Sequence, residues 1–414
     1  MALERVRFLH TSDWRLETPL GGICEVPEDL RDDFINAPYR SAERVVEQAI
    51  GEAVDFVLLS GNILPTETAS PYTLEFVLQQ FERLHEQGIP VYWAGGDLDD
   101  PDLWPTQLAL PSNVHTFPVR AVESYQVLRD EEPIAEILGQ SKSDRKKLSM
   151  SSLAGDNERL ARIVVANGDF NASQLDVQGV DYWALGGQTE YSQVGKRPLT
   201  AFYAGSPQGR LPAEHGRHTC NLIELKFGEV DVHRVDTAAI RWQHERLHLS
   251  NSDALSVLET EVRERLQQKT SSVEAALVLL TWEIACDQAG TLTLSKAERH
   301  RLMSSWSLNQ GEDRQRTVDI RVAPGQVPEA FWEEDSILGD FLRVVRDLQQ
   351  HENPREQLKG YLPKGPVRAE VLAEIQLTET DDRQRLWLGV AELGVGLLQG
   401  ESSLQSVSPV ESIG

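Results

Sequence analysis

The sequence predicts an α/β protein whose first 240 residues form a layered sandwich. Three observations point that way. Short β-rich runs alternate with helical patterns over residues 5–235. Several of those runs are almost continuously apolar, as in sheets covered on both faces. Polar, Gly-, Asn- and Asp-bearing stretches follow the runs, where the carboxyl ends of parallel strands receive ligands.

The elements follow in order. Strands are expected at Arg5–His10, Asp55–Ser60, Pro90–Ala94, Arg162–Ala166, Tyr182–Leu185, Ala201–Ala204 and Asn221–Leu225. Between them Ala42–Ala53 and Pro71–Gln87 place apolar residues at helical spacing, with Pro71 suited to a first turn. Residues Glu131–Asn157 are polar and weakly periodic and read as an insertion or flexible connection. The pattern then changes. Residues 241–325 read as a small α+β domain: a helix capped at Ser252-Asp253 and running to Gln268, a strand Glu274–Trp282, a helix Leu292–Leu308 and a strand Arg316–Val322. Ala323–Pro328 reads as a linker. Residues 326–414 are expected to carry amphipathic helices at Asp335–Gln350 and Asp381–Gln399, then a disordered Ser-rich tail.

Bulk composition narrows the class. A formal net charge of -25 repels phosphate backbones at long range, so a broad electrostatic grip on DNA is disfavoured. The basic clusters Arg145-Lys146-Lys147 and Lys196-Arg197 read as solvated loops. Three cysteines, Cys24, Cys220 and Cys286, stand in no metal-ligand spacing and fit a reducing cytoplasm. No apolar run is long enough to span a bilayer, and no signal-peptide core opens the chain. A cytoplasmic protein with no membrane partner is expected.

The strand ends read, in order, Asp13-Trp14-Arg15, Gly61-Asn62, Gly95-Gly96-Asp97-Leu98-Asp99, Asn167-Gly168-Asp169 and Gly186-Gly187-Gln188-Thr189. With their flanks, His10-Thr11-Ser12-Asp13-Trp14, Asp55–Gly61, Asp181–Gly186 and Gly-Ser-Pro-Gln-Gly-Arg at 205–210, they resemble the calcineurin-like metallophosphoesterases, above all the SbcD-type nucleases of DNA double-strand-break repair. The resemblance implies an α/β/β/α sandwich, then a capping domain and C-terminal helices. In that family two divalent metals, commonly manganese, clamp a phosphodiester and generate a hydroxide nucleophile.

Set against the family pattern, the ligand positions depart one after another. Asp13 is retained. Arg15 replaces a His ligand, Asn62 the bridging Asp, and Gly96 the ligand Asn. Asp97 replaces the His that protonates the leaving group, and Asn167, Gly187 and Thr189 replace three further histidines. Glycine has no side-chain donor, Arg15 is permanently cationic, and an amide brings no negative charge to a dinuclear centre. The expectation is therefore no metal cofactor, or at most one weakly bound Mg, Mn or Ca ion. Without a metal, a buried Asp13 needs positive charge, and Arg15 is expected to supply it by pairing with Asp13 or Asp97. His10 is expected to be a hydrogen-bonded core residue, and His215 and His218 surface residues.

The functional expectation is a catalytically inactive or impaired SbcD-type subunit acting as a scaffold in DNA repair. By the same resemblance its partner is an SbcC-type coiled-coil ABC ATPase docked on the C-terminal helices, and it forms a homodimer. Two alternatives stand beside it: an active metal-dependent phosphoesterase with a rebuilt site, and a homodimeric structural protein without an ATPase partner.

Overall fold

The computed structural model describes residues 5–350, except 24–25, 144–146, 156–159, 197–198, 227–228, 250–254, 269–276, 287–293, 295, 311–312, 324–326 and 328, and also residues 387–391, 394–395 and 398. The proposed cap at Ser252-Asp253, residues 145–146 and 197 of the basic clusters and the Ser-rich tail lie outside the described residues. So do the expected strand start at 274–276 and much of Asp381–Gln399.

In chain order the first elements are β1 (Val6–Thr11), α1 (Arg31–Gly51), β2 (Phe56–Leu59), α2 (Pro71–Glu86), β3 (Val91–Ala94) and β4 (Val114–Phe117). Then come β5 (Glu123–Arg129), β6 (Glu132–Gly139), β7 (Ala161–Asn167), β8 (Tyr182–Gly186), β9 (Ser192–Val194), β10 (Ala201–Tyr203), β11 (Thr219–Lys226) and β12 (Glu229–Asp236). They make two six-stranded sheets, ordered β12-β11-β1-β2-β3-β4 and β5-β6-β7-β8-β10-β9. In the first, β1, β2, β3 and β4 run parallel and β11 and β12 antiparallel. In the second, β6, β7, β8 and β10 run parallel between the antiparallel edges β5 and β9. Parallel strands need crossovers, and all their carboxyl ends open on one side of a sheet.

Alternation along the strands builds two cores. Phe8, Phe56, Leu58 and Tyr92 face inward onto Ile137, Ile163, Val165, Tyr182 and Ala184 of the second sheet. The intervening Leu9, Val57, Leu59, Val91 and Trp93 face outward onto Val45, Ala49, Val77 and Phe81 of α1 and α2. Burial on both faces is why these strands read as unbroken apolar runs. Outside the second sheet, Val164, Trp183, Leu185 and Tyr203 pack with Leu153 and Leu175. That outer cover is made by loops and a short 3-10 turn at Met150–Ser152, with no α-helix among the described residues between β5 and β12.

Two expectations change. Residues Glu131–Asn157 are not merely a connection: β6 lies inside them, with Ile134, Ala135, Ile137 and Leu138 buried. Its charged positions hid it, because Glu136 is neutralised by Arg162 of β7 at 2.8 Å, a partner distant in sequence. Helix α1 begins eleven residues before the expected Ala42, carrying Pro38 inside it. The Phe34 carbonyl, which Pro38 leaves without its helical N–H partner, accepts from the Leu20 amide at 3.1 Å. Helix α2 begins as read, with Pro71 at N1 and Ser70 Oγ accepting from the Thr73 amide at 3.3 Å.

The remaining elements are β13 (Ile240–Leu249), α3 (Leu255–Gln268), β14 (Leu277–Cys286), α4 (Lys296–Ser305), β15 (Leu308–Gln310), β16 (Asp313–Ala323), α5 (Glu329–Trp332) and α6 (Ile337–Gln350). Strand order in the third sheet is β13-β14-β16-β15. The chain divides into two compact units: residues 1–243, 270–280 and 308–318 form one, and 244–269, 281–307 and 319–414 the other. In the first, Trp242, Leu277, Leu279 and Val318 pack with Leu30, Phe34 and Ala37. In the second, Leu338, Leu342 and Val345 of α6 pack with Trp387, Ala391 and Val395. Residues 387–391 are helical, within the expected C-terminal helix. No helix among the described residues is long and apolar enough to cross a membrane.

Candidate functional site

The loops after β1 and β2 run side by side. Backbone amides of Asp13, Arg15 and Leu16 donate to the carbonyls of Gly61, Asn62 and Ile63, each at 2.9 Å. This pairing holds three non-glycine residues in the left-handed region: Asp13 at φ 53°, Arg15 at φ 46° and Asn62 at φ 59°. Such conformations cost of order 1 kcal/mol or more each and persist where the surroundings impose them.

Asp13 is 2% exposed. Its Oδ1 accepts from Asn62 Nδ2 at 2.8 Å and its Oδ2 from the Gly187 amide at 2.9 Å. Burial raises its pKa, opposed by the hydrogen bonds from Asn62, Gly187 and Ser12 and by the charge of Arg15. The Asn62 amide can face only one way. Its Oδ1 accepts from the backbone amides of Asp97 at 2.8 Å and Leu98 at 3.2 Å, and only an oxygen can accept there. The NH2 group is therefore turned towards Asp13.

Asp99, passed over in the sequence reading, fastens the next loop. Its Oδ1 accepts from the amides of Asn62 at 2.6 Å and Gly96 at 2.8 Å, and its Oδ2 from Trp93 Nε1 at 2.8 Å and the Ile63 amide at 3.2 Å. Burial pushes this carboxyl up to about 7, against the pull of those four donors. The Gly-Gly-Asp-Leu-Asp run contained it, but only the fold shows which aspartate turns inward. Asp97 is the exposed one, and Lys142 Nζ meets its Oδ2 at 2.5 Å.

The remaining positions are equally committed. A Cβ on Gly96 would lie 2.5 Å from Asn62 Oδ1 and 2.8 Å from Asn167 Nδ2, so the position admits no side chain as it stands. Asn167 Nδ2 donates to the Ser60 carbonyl at 2.8 Å, leaving its buried Oδ1 without a hydrogen-bond partner among the described residues. Gly187 sits at φ 102°. The carbonyl of Thr189 accepts from the amide of Ser206, whose hydroxyl donates to the Asp13 carbonyl at 2.9 Å.

The expected contact of Arg15 with Asp13 or Asp97 is not formed. Half-buried Arg15 makes no side-chain hydrogen bond or ion pair with a described residue; the donors that meet those carboxylates are Asn62, Gly187 and Lys142. Arg15 acts on Asp13 only through space. A second, buried guanidinium does the structural work that the sequence reading missed. Arg210, last residue of the Gly-Ser-Pro-Gln-Gly-Arg stretch, donates to the carbonyls of Trp14, Thr18 and Gln208, pinning the β1 loop. Burial lowers its pKa to about 9, while Glu214 and Asp13 favour its charge.

Of the histidines, His10 is a core residue as expected: fully buried, it meets Tyr182 OH at 3.0 Å and Ser60 Oγ at 2.9 Å. His215 is exposed. His218 is not on the surface; it is 6% exposed and bridges the carbonyls of Ser206 at 2.8 Å and Glu214 at 2.9 Å. It bolts the Gly-Ser-Pro-Gln-Gly-Arg turn to the following loop. No group of three or more His, Cys, Asp or Glu side chains with metal-binding geometry occurs among the described residues.

No family model matches the chain. It is 26% identical over 375 residues to "Uncharacterized metallophosphoesterase YhaO" of Bacillus subtilis (strain 168), an alignment covering 84% of this chain and 91% of that protein. Among solved structures it is similar to TT1561 of Thermus thermophilus, at 12% identity and a TM-score of 0.32, over 56% of this chain and 99% of that one. It is also similar to Vacuolar Protein Sorting 29 from Cryptosporidium parvum, at 15% identity and a TM-score of 0.27, over 56% and 98%. With its two packed mixed sheets, flanking helices and the Bacillus relative, the chain has a metallophosphoesterase-like fold.

Proposed function

We propose that this chain is an SbcD-type metallophosphoesterase relative whose strand-end cleft holds no metal pair and which acts as a non-catalytic or impaired scaffold subunit of a DNA-repair complex. The carrying observation is the contact between Asn62 Nδ2 and Asp13 Oδ1 at 2.8 Å. Where the family pattern has a bridging carboxylate, this chain aims an amide NH2 group at its one retained acidic ligand. A donor so placed repels a cation, and the fold locks it there through Asn62 Oδ1. The donor set does not suit a dinuclear centre: Gly96 and Gly187 bring no ligand, and Arg15 brings positive charge. The acceptors left over, Asn167 Oδ1 and the free lone pairs of Asp13, suit at most one weakly bound Mg, Mn or Ca ion.

The C-terminal helix supports the scaffold reading. One stripe of α6, Leu338, Leu342 and Val345, is buried in its own unit. Ile337 and Val344 stay 76% and 49% exposed, an apolar edge fit for a helix-in-groove contact with an SbcC-type coiled-coil ATPase. A homodimer belongs to the same reading, and DNA contact is held to local rather than global charge by the net charge of -25.

Manganese-dependent hydrolysis of duplex DNA ends and of bis(4-nitrophenyl) phosphate by the purified chain tests it. No turnover above buffer is expected. Turnover that disappears in Asp13→Ala would overturn the reading.

A further inference from the structure

Three carboxylates of the strand-end loops have each found donors other than Arg15, and the exposed Asp169 makes no ion pair with it. Asp13 is met by Asn62 and Gly187, Asp97 by Lys142, and Asp99 by four N–H groups from Asn62, Ile63, Gly96 and Trp93. The neighbouring cation, Arg210, has spent its donors on backbone carbonyls. That leaves the Arg15 guanidinium as a half-buried cation whose N–H groups bond no described residue. Its backbone is held at φ 46° by the amide bond to the Asn62 carbonyl, the next amide's bond to Ile63, and Arg210 on its own carbonyl at 3.4 Å. A strained, over-determined backbone presenting an unspent guanidinium is a poised binding group.

The loop after β8 meets the same β1 loop at Asp13, two residues before Arg15. Gly187 touches Asp13 through its amide, and Thr189 is tied to the Asp13 carbonyl through Ser206. The Thr189 hydroxyl and the Gln188 Nε2 group make no hydrogen bond with a described residue, and both residues are half-buried. The geometry points to a metal-free oxyanion site: Arg15 anchors a phosphate group by a bidentate pair, with Gln188 and Thr189 as supporting donors. The charge that binds the anion thus comes from the side chain at a former ligand position rather than from a metal. This inference rests on the proposed absence of a metal pair.

Titration calorimetry of the full chain with inorganic phosphate tests it, run once in chelator-treated buffer and once with manganese. Binding should occur in chelator, weaken by about tenfold or more in Arg15→Gln, and be partly kept in Arg15→Lys, which retains charge without the bidentate fork. Melting curves of both variants show that the fold is intact. Equal affinity in wild type and Arg15→Gln would overturn the assignment. Absence of binding in both buffers would overturn the oxyanion site and leave the scaffold reading standing. Binding that needs manganese and is abolished by chelator would overturn both.

Discussion

Asn62 is the residue on which the cleft turns. Its backbone and side-chain amides serve four hydrogen-bonding groups at once, and Asn62→Asp would set a second carboxylate against buried Asp13. With a donor lost and a like charge added, the variant should be less stable by about 2–4 kcal/mol in metal-free buffer, read as a fall in the urea midpoint. Removing Arg15 should do far less. Because its side chain bonds no described residue, Arg15→Gln should shift stability by no more than about 0.5 kcal/mol, unlike the loss expected of a buried ion-pair partner. His10 sets a pH dependence. Burial depresses its pKa from 6.5 to about 3, so the unfolded chain takes up the proton first as pH falls. Its folded pKa being the lower, stability is fully present above pH 6.5 and drains away as pH falls through the window down to about 3. At pH 5 the loss is about 2 kcal/mol, since one and a half units separate that pH from the unfolded value. Urea unfolding of wild type and His10→Gln at pH 5 and 7.5 checks this, the variant showing the smaller pH difference.

At the scale of elements, the loops are packed so closely that restoring the family pattern is sterically barred. Gly96→Asn would drive a Cβ into Asn62 Oδ1 and Asn167 Nδ2. Backbone surrounds the site, and a cost of about 2–3 kcal/mol is expected, with the β2 and β3 loops displaced. Soluble yield and melting temperature of Gly96→Asn report it, and an unchanged melting temperature would show that these loops are pliable. In the C-terminal unit, Leu342 is fully buried, and Leu342→Ala should cost about 2–5 kcal/mol. Ile337→Ala, on the exposed edge, should leave stability alone and weaken capture of a coiled-coil ATPase in a pull-down.

The parallel strands β1, β2, β3, β7, β8 and β10 and helix α2 were legible because each carries its own signal: doubly buried apolar runs, and Ser70-Pro71 at a helix start; the half-buried parallel strand β4 carried no such run. Strand β6 was not, because Glu136 becomes acceptable in a sheet only opposite Arg162, twenty-six residues away. The residue types at Arg15, Asn62, Gly96, Asp97, Asn167, Gly187 and Thr189 are read directly from the sequence as differences from the pattern that the resemblance implies. What each residue does instead was hidden. Asp97 and Asp99 are equivalent on paper, yet one faces Lys142 in solvent and the other fastens two loops from inside. Arg210 ends the Gly-Ser-Pro-Gln-Gly-Arg stretch, but its carbonyl partners include a loop nearly two hundred residues earlier.

For the whole molecule, a metallophosphoesterase-like sandwich carries strand-end loops joined by hydrogen bonds among their own groups, Asp13 to Asn62 and Gly187, and Asp99 to Asn62, Ile63 and Gly96. On the proposed scaffold reading, the acidic net charge and the apolar helix edge favour a protein partner over DNA. The central claim is that the cleft holds no metal pair, and metal stoichiometry tests it most directly. The full chain is equilibrated with manganese at neutral pH, passed through a desalting column and measured by elemental analysis. Less than one manganese per chain is expected, unchanged in Asp13→Ala. Two tightly held ions per chain, lost in Asp13→Ala, would contradict the account.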